Sequence, residues 1–365
     1  NPQGDDLAVA VAVDGNDDVI VTGYVFNGVN KDIAVIKYDG ANGNQQGEPF
    51  IMNGVANGDD LAQALAVDAL NNIYVAGYSH TGTSAGDNAL IFRLGPGGPN
   101  PDGTPIWQVN YNGAANGDDR FTTVIAGVSG IAVAGHSRVM HSGGREDFDY
   151  LTMKIDATGT TLWQKNYDHG SENDLAYYVG MDQFGNVIVT GEVLAGGQHD
   201  MRTIKYAGGD GQQLWARSYS GGSPNIPRGL VVDSDGEVYL AGNTFTNNGK
   251  DDFYTARYAG ASGVVVWEKV FDSGANNSDI PQALAVDQTG GLYVTGYTHK
   301  AVDGDDDFQT LKYNKENGNL IWQQAQDGPP AGGNQQPVGV AVALSITADG
   351  NVYVAGWSQI ATEDL

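Results

Sequence analysis

The stretch that decides the fold lies at residues 279–322 and reads DIPQALAVDQTGGLYVTGYTHKAVDGDDDFQTLKYNKENGNLIW. Its first apolar segment ends in Asp287, its second ends in Gly296, its third begins with Asp307, and its fourth carries Trp322. Each segment is short and rich in β-branched, aromatic or alternating apolar residues, and Gly, Asn and Asp separate the segments. The stretch therefore predicts four short β-strands joined by tight turns.

The same order of segments recurs along the chain with a period of roughly fifty residues. Seven second segments end in a glycine: Gly23, Gly77, Gly135, Gly191, Gly242, Gly296 and Gly356. Five fourth segments carry a tryptophan at one position: Trp107, Trp163, Trp215, Trp267 and Trp322. A repeat of this length built from short strands is typical of a propeller or a solenoid, and no stretch shows a sustained helical period.

We therefore predict an all-β fold: a seven-bladed β-propeller of four-stranded antiparallel blades, forming one domain over residues 1–365. The units are approximately residues 5–54, 55–113, 114–169, 170–222, 223–274, 275–328 and 329–365. The last unit is incomplete, because it has two predicted strands, around Val338–Ile346 and Val352–Trp357, and no third or fourth. Either this blade is half-built, or a partner strand completes it, or the chain continues. We favour a continuation, since natural proteins usually cover an open sheet edge.

The pattern ALAVDxxGxxYVxGY, followed by DFxxxKY and xxWxxxY, resembles the seven-bladed β-propeller repeat family of bacterial secreted and surface proteins. The resemblance extends over essentially the whole chain, and it implies an extracellular or surface module for binding or assembly. The five repeated tryptophans also resemble the docking residues of quinoprotein propellers, in which each indole lies between two blades. We expect all five to be buried, whereas the first unit has no tryptophan and Phe50 is its nearest aromatic residue.

Composition narrows the classes of function. The chain has 44 acidic residues against 18 Lys and Arg, a net charge of −26, so it repels phosphate backbones and nucleic acid is an unfavourable partner. It has no cysteine, and no apolar stretch is long enough for a membrane helix. Motifs of metalloproteases, serine hydrolases and phosphate loops are absent from the sequence. We expect an extracellular, cell-surface or periplasmic location, with no signal peptide in this sequence.

Aspartates begin many first and third strands, and these strands start at the same edge of each sheet because the chain alternates direction. First strands are preceded or begun by Asp6, Asp60, Asp119, Asp174 and Asp279, and third strands by Asp32, Asp149, Asp200, Asp252 and Asp307. Within one unit the two starts lie two strand spacings apart, about 9.6 Å, which is too far for direct contact. These residues either cap loops or bind cations or a basic partner.

The densest acidic run, DGDDD, lies before the third strand of unit 6. We predict Ca²⁺ as a cofactor, with Asp303, Asp305 and Asp307 as its ligands, because alternating Asp and Gly lets carboxylate oxygens converge on a hard cation. The full EF-hand pattern is not present. Third strands also end in a basic residue, as at Lys37 and Lys205, and we expect these residues to pair with aspartates or carbonyl groups between strands.

One loop differs in charge from the rest. The connection between the second and third strands of unit 3 carries Arg138, His141 and Arg145, which we predict to contact a partner, together with Trp357 in the incomplete blade. The leading hypothesis is a non-catalytic extracellular binding or assembly module, a scaffold or adhesion subunit, that holds a protein partner through its acidic loops. The alternatives are a Ca²⁺-dependent carbohydrate-binding propeller, and a calcium-dependent propeller hydrolase similar to the phytases.

Overall fold

The computed structural model describes residues 4–54, 56–82, 86–170, 172–246, 249–274, 278–299, 306–326, 338–346 and 351–359. Throughout these ranges the regular structure consists of β-strands, without a helix, which confirms the all-β prediction. Accordingly, the described chain offers no helix that could span a membrane. Two compact units are distinguished, Asn1–Ala195 with Ile204–Leu214, and Gly196–Thr203 with Trp215–Leu365.

Three four-stranded sheets lie within the first unit, and each is antiparallel with its strands in chain order. The first sheet contains β1 (Leu7–Val13), β2 (Val19–Phe26), β3 (Lys31–Tyr38) and β4 (Phe50–Met52). The second contains β5 (Asp60–Val67), β6 (Ile73–His80), β7 (Asp87–Leu94) and β8 (Trp107–Tyr111). The third contains β9 (Asp119–Gly127), β10 (Gly130–Met140), β11 (Glu146–Ile155) and β12 (Thr161–Tyr167).

The fourth sheet contributes residues to both units and contains β13 (Asp174–Met181), β14 (Val187–Ala195), β15 (Gln198–Tyr206) and β16 (Gln213–Tyr219). The fifth contains β17 (Asn225–Val232), β18 (Val238–Phe245), β19 (Asp251–Tyr258) and β20 (Val265–Phe271). The sixth contains β21 (Asp279–Val286), β22 (Gly291–His299), β23 (Asp306–Asn314) and β24 (Leu320–Gln326). A two-stranded sheet follows, with β25 (Val338–Ile346) and β26 (Val352–Gln359). We number the repeats 1 to 7 after these sheets.

Apolar side chains between consecutive sheets form the cores. In the first unit, one cluster joins repeats 1 and 2 through residues such as Ile33 and Phe92, and another joins repeats 2 and 3 through Ile91 and Leu151. In the second unit, the corresponding cluster joins repeats 5 and 6 and includes Tyr239. The second and third strands of repeat 2, β6 and β7, therefore bury both faces over most of their length, which explains why their sequences are apolar without strict alternation.

A β-bulge in the first strand explains the repeated glycine. In repeat 2, the register of β5 against β6 shifts between Ala62 and Ala64, opposite Gly77, and a β-carbon at Gly77 would overlap the carbonyl oxygen of Leu61. Equivalent shifts lie opposite the corresponding glycines of the other repeats. The VxG pattern is thus a packing requirement, since only a residue without a side chain permits this backbone approach.

The two ends of each sheet differ in their chemistry. The turn edge holds the tight turns between strands 1 and 2 and between strands 3 and 4. There, Asp182 accepts hydrogen bonds from the backbone N–H groups of Phe184 and Asn186, both at 2.9 Å, and its other oxygen lies 2.8 Å from Lys205 Nζ. Asp14 is capped and paired with Lys37 in the same way. Lys37 and Lys205 therefore neutralise turn-edge aspartates, whereas Lys154 donates to the carbonyl oxygen of Gly185. The loop edge is the opposite end, where strands 1 and 3 begin.

Candidate functional site

Three of the five repeated tryptophans are almost fully buried, with 6–7% of each exposed: Trp163, Trp215 and Trp267. Each indole lies on the turn between the third and fourth strands of the following repeat. Trp215 Nε1 donates a hydrogen bond to the carbonyl oxygen of Gly260 at 3.0 Å, and its ring covers Gly263. A β-carbon on Gly263 would lie 2.6 Å from the ring, so the turn requires glycine beneath the indole. These residues connect consecutive repeats.

The other two tryptophans depart from the expectation of complete burial. Trp107 donates the equivalent hydrogen bond, to Ala157 at 3.1 Å, but is only half-buried. Trp322 is 39% exposed, because the turn that covers an indole comes from the following repeat and no such turn follows β24 in the described residues. The prediction that all five are buried is therefore wrong for Trp322.

Repeat 1 has a pocket where later repeats have an indole. Continuing the register from the pair of Val35 and Phe50 places Glu48 at the tryptophan position. A cavity of about 440 Å³ lies there, lined by Lys37, Phe50 and Leu94 among others. The absence of a tryptophan in this unit, noted in the sequence, thus has a structural counterpart.

At the loop edge, three positions converge between consecutive repeats: the start of a third strand, the residue after the fourth strand, and the start of the next first strand. The strand register places the first two directly across from each other. In repeat 3, Tyr150 pairs with Tyr167, so Asp149, which precedes Tyr150, faces Asp168, which follows Tyr167. In the described repeats these positions are Asp32, Asn53 and Asp60; Asn88, Asn112 and Asp119; Asp149, Asp168 and Asp174; Asp200, Ser220 and Asn225; and Asp252, Asp272 and Asp279. Only the third and fifth of these sets consist entirely of carboxylates.

The repeat 3 cluster comprises Asp149, Asp168 and Asp174, whose carboxylates each place an oxygen within 4.8 Å of the others. Asp149 is buried, and its Oδ1 accepts no hydrogen bond within the described residues. Burial, and then the charge of Asp168, raise the pKa of Asp149 to about 7. Burial also raises the pKa of Asp174 to about 6, despite hydrogen bonds from the backbone of His169 and Leu194. Three acceptors in one place favour a proton or a cation.

Positive side chains of the chain itself reach this cluster from the loop between β10 and β11. His141 Nε2 lies 2.6 Å from Asp147 Oδ1 and 3.5 Å from Asp149 Oδ1, and His141 Nδ1 lies 3.5 Å from Asp168 Oδ2. Arg145 lies 3.0 Å from Asp147. The predicted partner-contact loop therefore packs on an acidic cluster, and His141 and Arg145 are engaged within the chain.

The third residue predicted in this loop, Arg138, lies instead within β10, because the strand extends to Met140 and pairs Arg138 with Phe148. Arg138 is 35% exposed, lies 3.4 Å from Glu146, and its guanidinium stands over the ring of Phe148 at 4.8 Å. Its contacts are weak surface contacts, so its guanidinium remains accessible to a partner.

The repeat 5 cluster comprises Asp252, Asp272 and Asp279, again with carboxylate oxygens within 4.8 Å of one another. Asp252 is 1% exposed; its Oδ2 accepts a hydrogen bond from Thr246 Oγ1 at 2.6 Å, and its Oδ1 has no donor within the described part of the chain. Asp279 accepts hydrogen bonds from Ser273 N and Oγ, at 2.7 and 2.9 Å. Burial raises the pKa of Asp279 to about 6.

Other repeats supply neutral donors at the same place. Asp32 accepts hydrogen bonds from the side-chain amides of Asn27, at 2.8 Å, and Asn30, at 3.3 Å. In repeat 4, the hydroxyl of Ser220 donates to Asp200 at 2.5 Å. Repeat 4 has one carboxylate in its set and repeat 1 has two, Asp32 and Asp60, so the sets with three carboxylates are the unusual members.

The remaining predicted site residues are placed as follows. Asp303 and Asp305 lie outside the described residues, and Asp307 is fully buried at the start of the third strand of repeat 6. Its neighbour Asp306 lies 2.8 Å from His299 Nδ1. The backbone of Trp357 pairs with Val340 in the two-stranded sheet, and its side chain is outside the described part.

A family model for SBBP, the beta-propeller repeat, matches residues 256–300, from the third strand of repeat 5 to the second strand of repeat 6. This segment is similar to an SBBP β-propeller repeat. The match confirms the resemblance to the propeller-repeat family, and the matched SBBP segment contains Trp267, Asp279 and Gly296, the three kinds of residue that mark the repeat.

Several solved structures are similar to the chain. A protein of unknown function from Bacteroides caccae has 14% identity and a TM-score of 0.45, covering 85% of this chain and 93% of that one. BamB from Moraxella catarrhalis has 15% identity and a TM-score of 0.47, covering 99% and 87%. An ulvan lyase of polysaccharide lyase family PL25 has 13% identity and a TM-score of 0.49, covering 97% and 93%. No curated protein matches the sequence.

Proposed function

We propose that the chain is a seven-bladed β-propeller in which β25 and β26 are the first two strands of the seventh blade. The support is the shared bulge: the register of β25 against β26 shifts between Ala341 and Ala343, opposite Gly356, as in the six four-stranded repeats. Two strands that reproduce this irregularity belong to the same repeat type. Within the described residues β26 pairs with β25 alone, and a third strand of the blade would pair with its other side.

We further propose that the protein is a non-catalytic, extracellular binding module whose loop edge holds a basic protein partner. The observation that carries this proposal is the contrast between the two edges. At the turn edge Asp182 is paired with Lys205, whereas at the loop edge three carboxylates face one another in repeat 5, and three more do so in repeat 3 beside His141 and Arg145. Such a concentration of negative charge attracts a cationic surface and accelerates its association.

One basis for the carbohydrate-binding alternative is a platform of exposed aromatic rings on which sugars stack. Trp163, Trp215 and Trp267 are buried against the following repeat and cannot serve as such a platform. The phytase-like alternative requires free Lys or Arg beside the carboxylates. Arg145 is beside them but is already paired with Asp147. A binding module therefore remains the better supported proposal.

Binding of a fluorescein-labelled lysine-rich peptide, measured by anisotropy in chelator-treated buffer, tests the proposal. Asp168→Asn and Asp272→Asn remove exposed loop-edge charges, and Asp102→Asn and Asp210→Asn are matched controls at exposed turn-edge positions. We expect several-fold weaker binding for the loop-edge variants, a change within about twofold for the controls, and a loss of affinity with added salt. Equal effects at both edges, or no binding by the wild type, would contradict a basic partner at the loop edge.

A further inference from the structure

We infer that the repeat 5 cluster of Asp252, Asp272 and Asp279 is a Ca²⁺ site. Its geometry suits such an ion, because each pair of oxygens lies within 4.8 Å, which is the span of two ligands on opposite sides of one ion at the usual Ca²⁺–oxygen distance of about 2.4 Å. The three carboxylates come from different elements: the second residue of β19, the residue after β20, and the first residue of β21. The cluster therefore fixes the connection between two repeats.

A second observation points to a ligand independently of the clustering. Asp252 is 1% exposed, yet its Oδ1 accepts no hydrogen bond in the described part of the chain. A buried, unpartnered carboxylate oxygen beside two further carboxylates is unfavourable unless a cation is present. Asp272 is exposed, so an ion and its remaining water ligands reach the cluster from solvent.

The other repeats act as internal controls for this assignment. Repeat 3 has the same three carboxylates, but His141 and Arg145 lie beside them and supply positive charge from the chain itself. Repeats 1 and 4 satisfy the equivalent carboxylate with amide or hydroxyl donors, as Asn27 does for Asp32. The repeat 5 cluster has three oxygen-bearing acceptors and no nitrogen among the ligating groups, so a hard cation such as Ca²⁺ suits it better than a transition metal.

Titration calorimetry of the full chain with CaCl₂, after chelator treatment, tests the inference. We expect one tight site in the wild type, and about 100-fold weaker binding in Asp252→Asn and Asp272→Asn. Asp149→Asn in repeat 3 and Asp32→Asn in repeat 1 are the matched controls and should keep the site. Because Asp272 is exposed, its variant folds even where a substitution at Asp252 perturbs the core.

Thermal melting with and without millimolar Ca²⁺ gives a second readout. The wild type should melt at a higher temperature with Ca²⁺, since an ion that binds only the folded state stabilises it, and Asp272→Asn should lose this shift. The inference is overturned if the wild type shows neither binding nor a shift, or if both persist in Asp252→Asn and Asp272→Asn. Loss of binding in Asp149→Asn alone would likewise overturn it, because it would move the site to repeat 3.

Discussion

Replacing Trp215 with alanine should destabilise the protein far more than the same change at Trp322. Trp215 is 6% exposed, packs on Gly263 and donates a hydrogen bond to Gly260 at 3.0 Å. Truncating a core tryptophan leaves a cavity and costs about 3–5 kcal/mol. Trp322 is 39% exposed, and its main ring contact is Tyr293 at 5.9 Å, so we expect a cost of about 1 kcal/mol there.

Trp215→Phe separates packing from hydrogen bonding. The phenyl ring keeps most of the apolar contact, but the carbonyl group of Gly260 loses its donor, which costs about 0.5–1.5 kcal/mol in addition to the smaller volume. We expect the order of stability to be wild type, Trp322→Ala, Trp215→Phe and Trp215→Ala. Urea unfolding followed by circular dichroism gives the midpoints and the free energies of unfolding. Equal losses for Trp215→Ala and Trp322→Ala would refute the conclusion that a docked indole stabilises the junction between repeats.

Two further predictions concern the glycine and the turn-edge aspartate. Gly77→Ala should lower the free energy of unfolding by about 1–3 kcal/mol, because the new β-carbon would overlap the carbonyl oxygen of Leu61. In the control variant Gly209→Ala the new β-carbon would have no atom within 4 Å, so the free energy of unfolding should change by less than about 1 kcal/mol. Thermal melting of both variants checks this. At Asp182, burial would raise the pKa, but hydrogen bonds from Lys205 and Asn186 outweigh it and hold the pKa below its usual value. The stability that this pair contributes is therefore present above about pH 4 and is lost as pH falls through the lowered pKa. The free energy of unfolding of Asp182→Asn should therefore fall less steeply with acidification than that of the wild type. A parallel decline in both proteins would contradict this.

Much of the fold could be predicted because each signal has a local geometric cause that recurs. The glycines of the VxG segments are required by a bulge opposite them, as at Gly77, and the tryptophans by a glycine turn beneath them, as at Gly263. The pairing of strand-end basic residues with aspartates followed from the same spacing, as for Lys37 and Asp14. A residue that recurs at the same position of every repeat can be recognised from a single sequence, without an alignment.

The carboxylate clusters could not be predicted in the same way. The sequence suggested a Ca²⁺ site within one acidic run, because neighbouring aspartates are visible as a motif. In the structure, Asp252, Asp272 and Asp279 meet from three elements of two consecutive repeats. Within one repeat the starts of the first and third strands lie about 9.6 Å apart, which is too far for their aspartates to meet. The start of a third strand instead meets the start of the first strand of the next repeat, and the spacing within one repeat does not reveal this contact.

The buried indoles also make each junction between repeats observable. Every docked tryptophan is supplied by one repeat and covered by the turn of the next, as Trp163 is covered by the turn whose Gly208 carbonyl accepts its hydrogen bond at 3.1 Å. Separation of two repeats would transfer that one indole from an apolar surrounding to water and shift its fluorescence emission to the red. Variants that keep a single docked tryptophan isolate its emission, and a variant that keeps only Trp322, which is 39% exposed, supplies the reference. The protein thus contains its own set of optical probes, one at each docked junction, for following the order in which its repeats come apart.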